Sequence, residues 1–233
     1  MAPSSPPPGD GGSRSNATGA TPAAPGGNQG GPVLALLARG LEIWLRRQCQ
    51  AIEALEIQLQ GSAAQLLQGR LEGVRLQARQ VVFRDLRLER VELLSGPLRV
   101  RRASLLPGKD LELEAPFAVA GTVVFRDGDL GRSLACPSWR PLGDGLAQAI
   151  LGLTPLAGLR IEEERLLLMA IPSLSEQPVE IATEVRAVDG SLELESEEGG
   201  AVARLPMDPA IQILRARLRT GLLELEGEAR VTT

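Results

Sequence analysis

The sequence has no histidine and no tyrosine, and a single lysine, Lys109. Without histidine the chain lacks the usual general base near neutral pH, the commonest metal ligand, and the base of Ser-His and Cys-His nucleophile pairs. A serine–lysine pair has one candidate lysine and no motif around it. The expectation is a non-enzyme with no catalytic residues, no metal and no cofactor. The two cysteines, Cys49 and Cys136, show neither zinc-ligand nor redox spacing. Paired carboxylates can hydrolyse glycosides, but such sites come with aromatic sugar platforms, and here there are two Trp and three Phe. No stretch approaches the ~18 consecutive apolar residues that cross a bilayer. The N-terminus lacks a basic segment followed by an apolar one, so no signal peptide is read there. The expected location is cytoplasmic, or peripheral on a cytoplasmic membrane face. A formal net charge of −4 argues against nucleic-acid binding as a bulk property. The charge is uneven: Arg70 to Arg102 is arginine-rich and Glu162 to Glu198 is acidic, which predicts a folded molecule with a charged end.

What is present divides into a tail and one domain. Residues 1–31 are almost all Pro, Gly, Ser, Ala, Asn and Thr, too poor in apolar surface to offset the entropy of ordering, and are expected to be disordered. Residues 32–233 form a single expected domain, large enough at about 200 residues for a sizeable core. Val33, Leu37, Leu41, Leu45 and Cys49 recur at helical spacing, widened by Leu34, Trp44 and Ile52, with Arg39, Glu42, Arg46, Gln50 and Glu53 opposite. That predicts an amphipathic helix over Val33–Ile52, about 30 Å long. Beyond it the pattern changes to period-two alternation: Leu55, Ile57 and Leu59; Val74, Leu76 and Ala78; Leu98 and Val100; Leu192 and Leu194; Leu223 and Leu225. Antiparallel sheets with one wet face read this way. Phe117 to Phe125 is more apolar, and Gly121 inside it suggests a bend or bulge. Asp129 is expected to cap a short helix toward Leu134, and Asp144 a second one over Gly145–Leu151. The segment Val81–Asp85 echoes Val123–Asp127, a single echo and weak as a repeat.

The order of these pieces, from PVLALLARGLEIWLRRQCQAIEALEIQLQG through GRLEGVRLQARQVVFRDLRLERVELLSGPLRV to EAPFAVAGTVVFRDGDL, resembles the cyanobacterial branch of the LmeA-like phospholipid-binding family, long called a domain of unknown function. The likeness spans roughly Gly31 to Thr233 and is one of pattern, without a short diagnostic motif. It implies an α+β, mainly β fold: a curved antiparallel sheet wrapped around a long N-terminal amphipathic helix, akin to tubular lipid-binding folds. It also implies phospholipid binding rather than turnover. The family's mycobacterial namesake is exported, and the present sequence departs from it in showing no export signal.

Each candidate site has a plainer reading beside the functional one. Leu34, Leu37, Leu41, Trp44 and Leu45 are expected to line a groove for acyl chains, or else are ordinary core. Arg99, Arg101, Arg102 and, on the helix, Arg46 suit a phosphate head group through bidentate hydrogen bonds, or else are a solvated face. Asp127-Gly128-Asp129 reads as a turn and helix start rather than a calcium loop, since no later acidic ligand has the right spacing. The acidic runs Glu162–Glu164 and Glu197–Glu198 read as solvated. The expected function is non-catalytic binding of phospholipid, anionic by the arginines, as a carrier or membrane-surface sensor. The alternative is an assembly protein that binds another protein through its helix face or sheet edge.

Overall fold

The computed structural model describes residues 32–101, 113–172 and 177–232. The expected disorder of residues 1–31, and Arg102, lie outside the described residues. Helix α1 (Pro32–Gln48) is followed by β1 (Ala51–Gln60), α2 (Ala63–Leu67), β2 (Arg70–Leu71), β3 (Gly73–Phe83), β4 (Leu86–Ser95), β5 (Leu98–Arg99) and β6 (Phe117–Arg126). Then come α3 (Asp127–Ala135), α4 (Arg140–Leu151), β7 (Leu156–Glu162), β8 (Arg165–Ala170), β9 (Val179–Val188), β10 (Ser191–Ser196), β11 (Val202–Arg204), β12 (Ile211–Arg219) and β13 (Leu222–Val231). The protein is mainly β, and its sheets are open and antiparallel. A six-stranded sheet runs β1-β3-β4-β6-β13-β12, a five-stranded one β11-β10-β9-β8-β7, and β2 pairs with β5 as a small ribbon.

Alternation sorts the six-stranded sheet into two faces. The register places Leu55, Ile57 and Leu59 beside Ala78, Leu76 and Val74. Val91 and Leu93 continue the same row, then Val123 and Gly121, then Leu225 and Gly227. The opposite face carries Arg75, Arg90, Glu92, Glu224, Glu226 and Arg215, joined by ion pairs such as Arg90–Glu92 at 3.5 Å and Arg215–Glu226 at 3.0 Å. On that polar face Val124 is nonetheless buried, between Arg90 and Glu224 on its two neighbours. Long side chains cover apolar surface with their stems.

The apolar face is covered at both ends by different parts of the chain. At one end α3, α4 and the five-stranded sheet close over Phe125, Leu218 and Leu223, and Leu134, Leu146, Ile150, Leu166, Leu168 and Leu194 fill the space between. Ser133 on α3 fastens this end, accepting from the Arg87 N–H at 2.9 Å and donating to the Asp129 carbonyl at 2.8 Å. At the other end Leu34, Leu66, Leu71, Leu98 and Val100 form a second buried cluster, with Leu59, Val74 and Phe117 of the sheet packed against it. That cluster is roofed by the start of α1, by α2 and by the β2–β5 ribbon. Ser62 caps α2 reciprocally: its Oγ accepts from the Gln65 N–H, and Gln65 Oε1 accepts from the Ser62 N–H.

Several local expectations change. The helix stops at Gln48 instead of running to Ile52, because the Gln50 N–H bonds to the Val82 carbonyl at 2.8 Å and the β1–β3 ladder begins at Ala51. The sheet does not wrap around α1: the helix lies along the outermost strand β1 and touches α2. Gly121 marks no bulge, since β6 pairs in regular register on both sides. The register shift instead falls between Ile213 and Arg215. Asp129 does not cap α3, which begins at Asp127; buried to 8% exposure, it pairs with Arg132 at 2.6 Å. Asp144 lies inside α4 and accepts from the Leu156 N–H at 3.1 Å. The Val81–Asp85 echo is not a structural repeat. Arg84 and Asp85 form a two-residue hairpin turn with positive φ at both positions, whereas Arg126 and Asp127 lead from strand to helix.

Candidate functional site

Between its two covered ends the apolar face has no complete roof. Leu55, Leu76, Leu93, Val119, Val123, Leu225 and Ala229 lie on inward positions of adjacent strands, yet all remain half-buried. A sheet face packed against a full layer buries such residues, as Leu168 is buried in the opposite core. On the same face Ile57, Ala78 and Val91 are buried, and Val123 and Leu225 pack against the main core, so the middle of the face is a shallow, partly covered apolar trough. Its floor is lowest where Gly121 stands opposite Gly227 on the neighbouring strand. A Cβ at 121 would lie 2.3 Å from the Glu92 carbonyl oxygen and 2.5 Å from Leu93 Cδ2, and one at 227 would lie 2.6 Å from the Gln212 carbonyl oxygen. The close strand approach at these positions requires glycine, and Leu93 leans across the gap.

Helix α1 borders the trough along the β1 edge. Its polar flank points to the rim: Arg39 and Arg46 both pair with Glu42, and Arg46 Nη1 donates to the Ile52 carbonyl of β1 at 3.1 Å. At 3.6 residues per turn the opposite flank carries Leu37, Leu41 and Trp44, with Leu45 between that flank and the sheet. The five apolar residues expected to line a lipid groove thus divide. Leu34 is 1% exposed and is core of the second cluster, so it is closed to any ligand. Leu37, Leu41 and Leu45 are half-buried, and Trp44 is 51% exposed.

The arginines divide as well. Arg46 is engaged by Glu42 and Ile52. On the ribbon, Leu71 and Leu98 point into the second cluster while Arg70 and Arg99 stand side by side on the outer face. Arg101 comes next, exposed, after buried Val100. Arg99 and Arg101 therefore share one side, as the alternation predicts, but that side faces away from the trough. Arg70 was not singled out from the sequence; its signal is the buried Leu71 beside it, which turns it outward. The trough residues of β3, β4, β6 and β13 were legible as a face, though not as an uncovered one.

A groove of about 300 Å³ is lined by polar-face residues such as Arg75, Glu92, Thr122 and Glu226 together with Leu76, Leu93, Gly121 and Gly227. Among the described residues no group of three or more Cys, Asp or Glu side chains could hold a metal ion. The carboxylates of the Asp127–Asp129 turn are occupied: Asp127 accepts from the Gly128 and Ile161 N–H groups, and Asp129 from Arg132. Burial pushes the Cys49 thiol up, away from nucleophilic thiolate. No described helix is long and apolar enough to cross a membrane.

No curated protein and no solved structure matches the chain. A family model does, over residues 29–229, which is most of the sequence. The chain belongs to the LmeA-like phospholipid-binding family.

Proposed function

We propose that the protein binds phospholipid without chemical turnover, holding acyl chains in the trough between α1 and the six-stranded sheet. The observation that carries this reading is the run of half-buried inward residues, Leu76, Leu93, Val123 and Leu225, on a face closed at both ends. Apolar surface left to water at the centre of a sheet is costly, at roughly 25 cal/mol per Å². A hydrocarbon chain lying there removes that cost. Leu37, Leu41, Leu45 and Trp44 form the side wall, and the head group stays at the rim, within reach of water. The lack of histidine and the occupied state of the Asp127 and Asp129 carboxylates support binding rather than catalysis. The arginine-rich segment favours anionic lipids, taken up from a bilayer that the protein touches peripherally.

The test is native mass spectrometry on gently purified protein, joined to quenching of Trp44 by phospholipids brominated along the acyl chain. Co-purified lipid is expected, with quenching that the Trp44→Phe variant loses. Loading should raise stability: about 2.7 kcal/mol with free lipid at one hundred times Kd. Protein that carries no lipid, and whose Trp44 emission ignores brominated chains, refutes the proposal.

A further inference from the structure

The roof over the second cluster has an outer side, and its chemistry is distinctive. Each element of the roof turns one apolar residue inward and another residue out. On α1, Leu34 is buried and Leu36, about half a turn away around the helix, is 72% exposed. On α2, Leu66 is buried and Leu67 is 67% exposed. On the ribbon, Leu71 and Leu98 are buried, and Arg70 and Arg99 are exposed cross-strand neighbours. Because α1, α2 and the ribbon cover the same cluster as one layer, their outward residues share that layer's outer side. Two large leucines there gain nothing from the fold.

The charge pattern identifies what covers them. Like charges directly opposite each other on paired strands destabilise a ribbon unless an anion lies between. Arg70 and Arg99 make no ion pair with another described residue. Of the acids nearby, Glu72 accepts from Gln65 Nε2 at 2.8 Å, and Glu114, whose N–H donates to the Arg99 carbonyl at 2.8 Å, forms no ion pair with either arginine. At the opposite end of the molecule, the five-stranded sheet and its turns carry Glu162, Glu163, Glu164, Glu193, Glu195 and Glu197, and acids outnumber arginines there. A molecule so polarised orients in the field of an anionic surface with the roof forward.

We infer that the outer side of the α1–α2–ribbon roof is a docking face for an anionic lipid bilayer. Leu36 and Leu67 enter the boundary between head groups and acyl chains, and Arg70 and Arg99 bind lipid phosphates. Arginine forks take phosphate oxygens two at a time, which fits the side-by-side pair. The inference rests on the lipid-binding reading, because docking at this face sets the trough beside α1 close to the bilayer from which it loads.

The experiment sediments the full chain with large vesicles of phosphatidylcholine alone or with one-third phosphatidylglycerol. Binding is expected to the anionic vesicles only, falling as salt is raised. The double variant Arg70→Gln/Arg99→Gln should bind about thirty-fold more weakly, a factor of about five for each arginine near the surface. Leu36→Ser and Leu67→Ser should each weaken binding several-fold with melting temperature unchanged, because both side chains are already in water. Arg186→Gln/Arg204→Gln removes the same charge from the other end and should leave binding as it was. Equal losses in the two arginine pairs, or wild-type binding by the leucine variants, would overturn the docking face. Lipid loading from detergent-dispersed monomers, read by Trp44 quenching, is scored separately. A chain that loads lipid yet ignores anionic vesicles sinks the docking face and leaves the trough standing.

Discussion

The trough predicts an asymmetry between two leucines of equal size. Leu168 on β8 is 0% exposed at the centre of the main core. Its replacement by alanine removes buried methyl groups and leaves a cavity that its neighbours cannot fill, a change that costs about 3–5 kcal/mol. Leu93 on β4 faces inward too, but it is half-buried, beside Gly121 and against the edge of the Ala78–Val91 cluster. Leu93→Ala forfeits part of a transfer energy of about 1.5–3 kcal/mol for a full side chain and creates no closed cavity, so about 1 kcal/mol is expected. For a chain of this size each kcal/mol moves the melting temperature by about 2–4 °C. Leu168→Ala should therefore melt about 6–20 °C lower and Leu93→Ala about 2–4 °C lower, read by calorimetry on delipidated protein. Urea titrations with unchanged m values would show that the native state alone is affected. A Leu93→Ala loss as large as that of Leu168→Ala would mean that the centre of the sheet is packed core, and the trough would not exist.

Other consequences can be checked separately. Asp85→Ala removes the acceptor of hydrogen bonds from Gln50 Nε2 at 2.9 Å and Ser138 Oγ at 2.8 Å at a turn already held at positive φ; a lower urea midpoint is expected, by about 1–2 kcal/mol. Ser133→Ala leaves the Arg87 N–H without its acceptor and should cost about 1–3 kcal/mol, visible as faster amide exchange at the start of β4. The hydrogen bond from Arg126 holds the Glu89 carboxyl below its ordinary range. Its contribution to stability is present above the unfolded-state pKa and is lost as pH falls through the lower folded-state value, so Glu89→Gln should flatten the acid limb of a stability–pH curve. With its thiol pushed up by burial beside Ile52 and Leu55, Cys49 should be alkylated at pH 8 more slowly than free cysteine, and as fast once the protein is unfolded.

Much of the strand inventory was legible because one face of each strand is wet. Glu56, Gln58, Arg75, Gln77, Glu193 and Glu195 alternate with apolar residues because the sheets are antiparallel and their outer faces carry ion pairs. The family likeness was legible for the same reason, as an order of patterned segments. The ends of elements were less so. Gln50 and Ile52 fit a helical stripe, yet the β3 edge offers their backbone ladder bonds, and that long-range pairing ends the helix at Gln48. The two Val-Val-Phe-Arg-Asp segments have the same local preferences, and the residues next to them in the chain decide between turn and helix. Leu86 pairs back with Phe83 in a hairpin, whereas Asp129, just beyond the second segment, suits the positive end of a helix dipole.

Of the candidate site, the residue types were readable and their placement was not. Leu34 and Trp44 belong to one amphipathic stripe, but a cluster built from α2, β2 and β5 buries the first and leaves the second in the open. Arg70 is one arginine among many along its segment, and only the pairing of β2 with β5 puts it face to face with Arg99.

The sequence alone determined that the chain is mainly antiparallel β, that it has no histidine, and that its charge is split between two regions, because periodicity and composition are local properties. Only the tertiary structure decided which apolar surface is sealed and which is left open. Burial is settled by what packs across the sheet, and those partners lie many residues away along the chain.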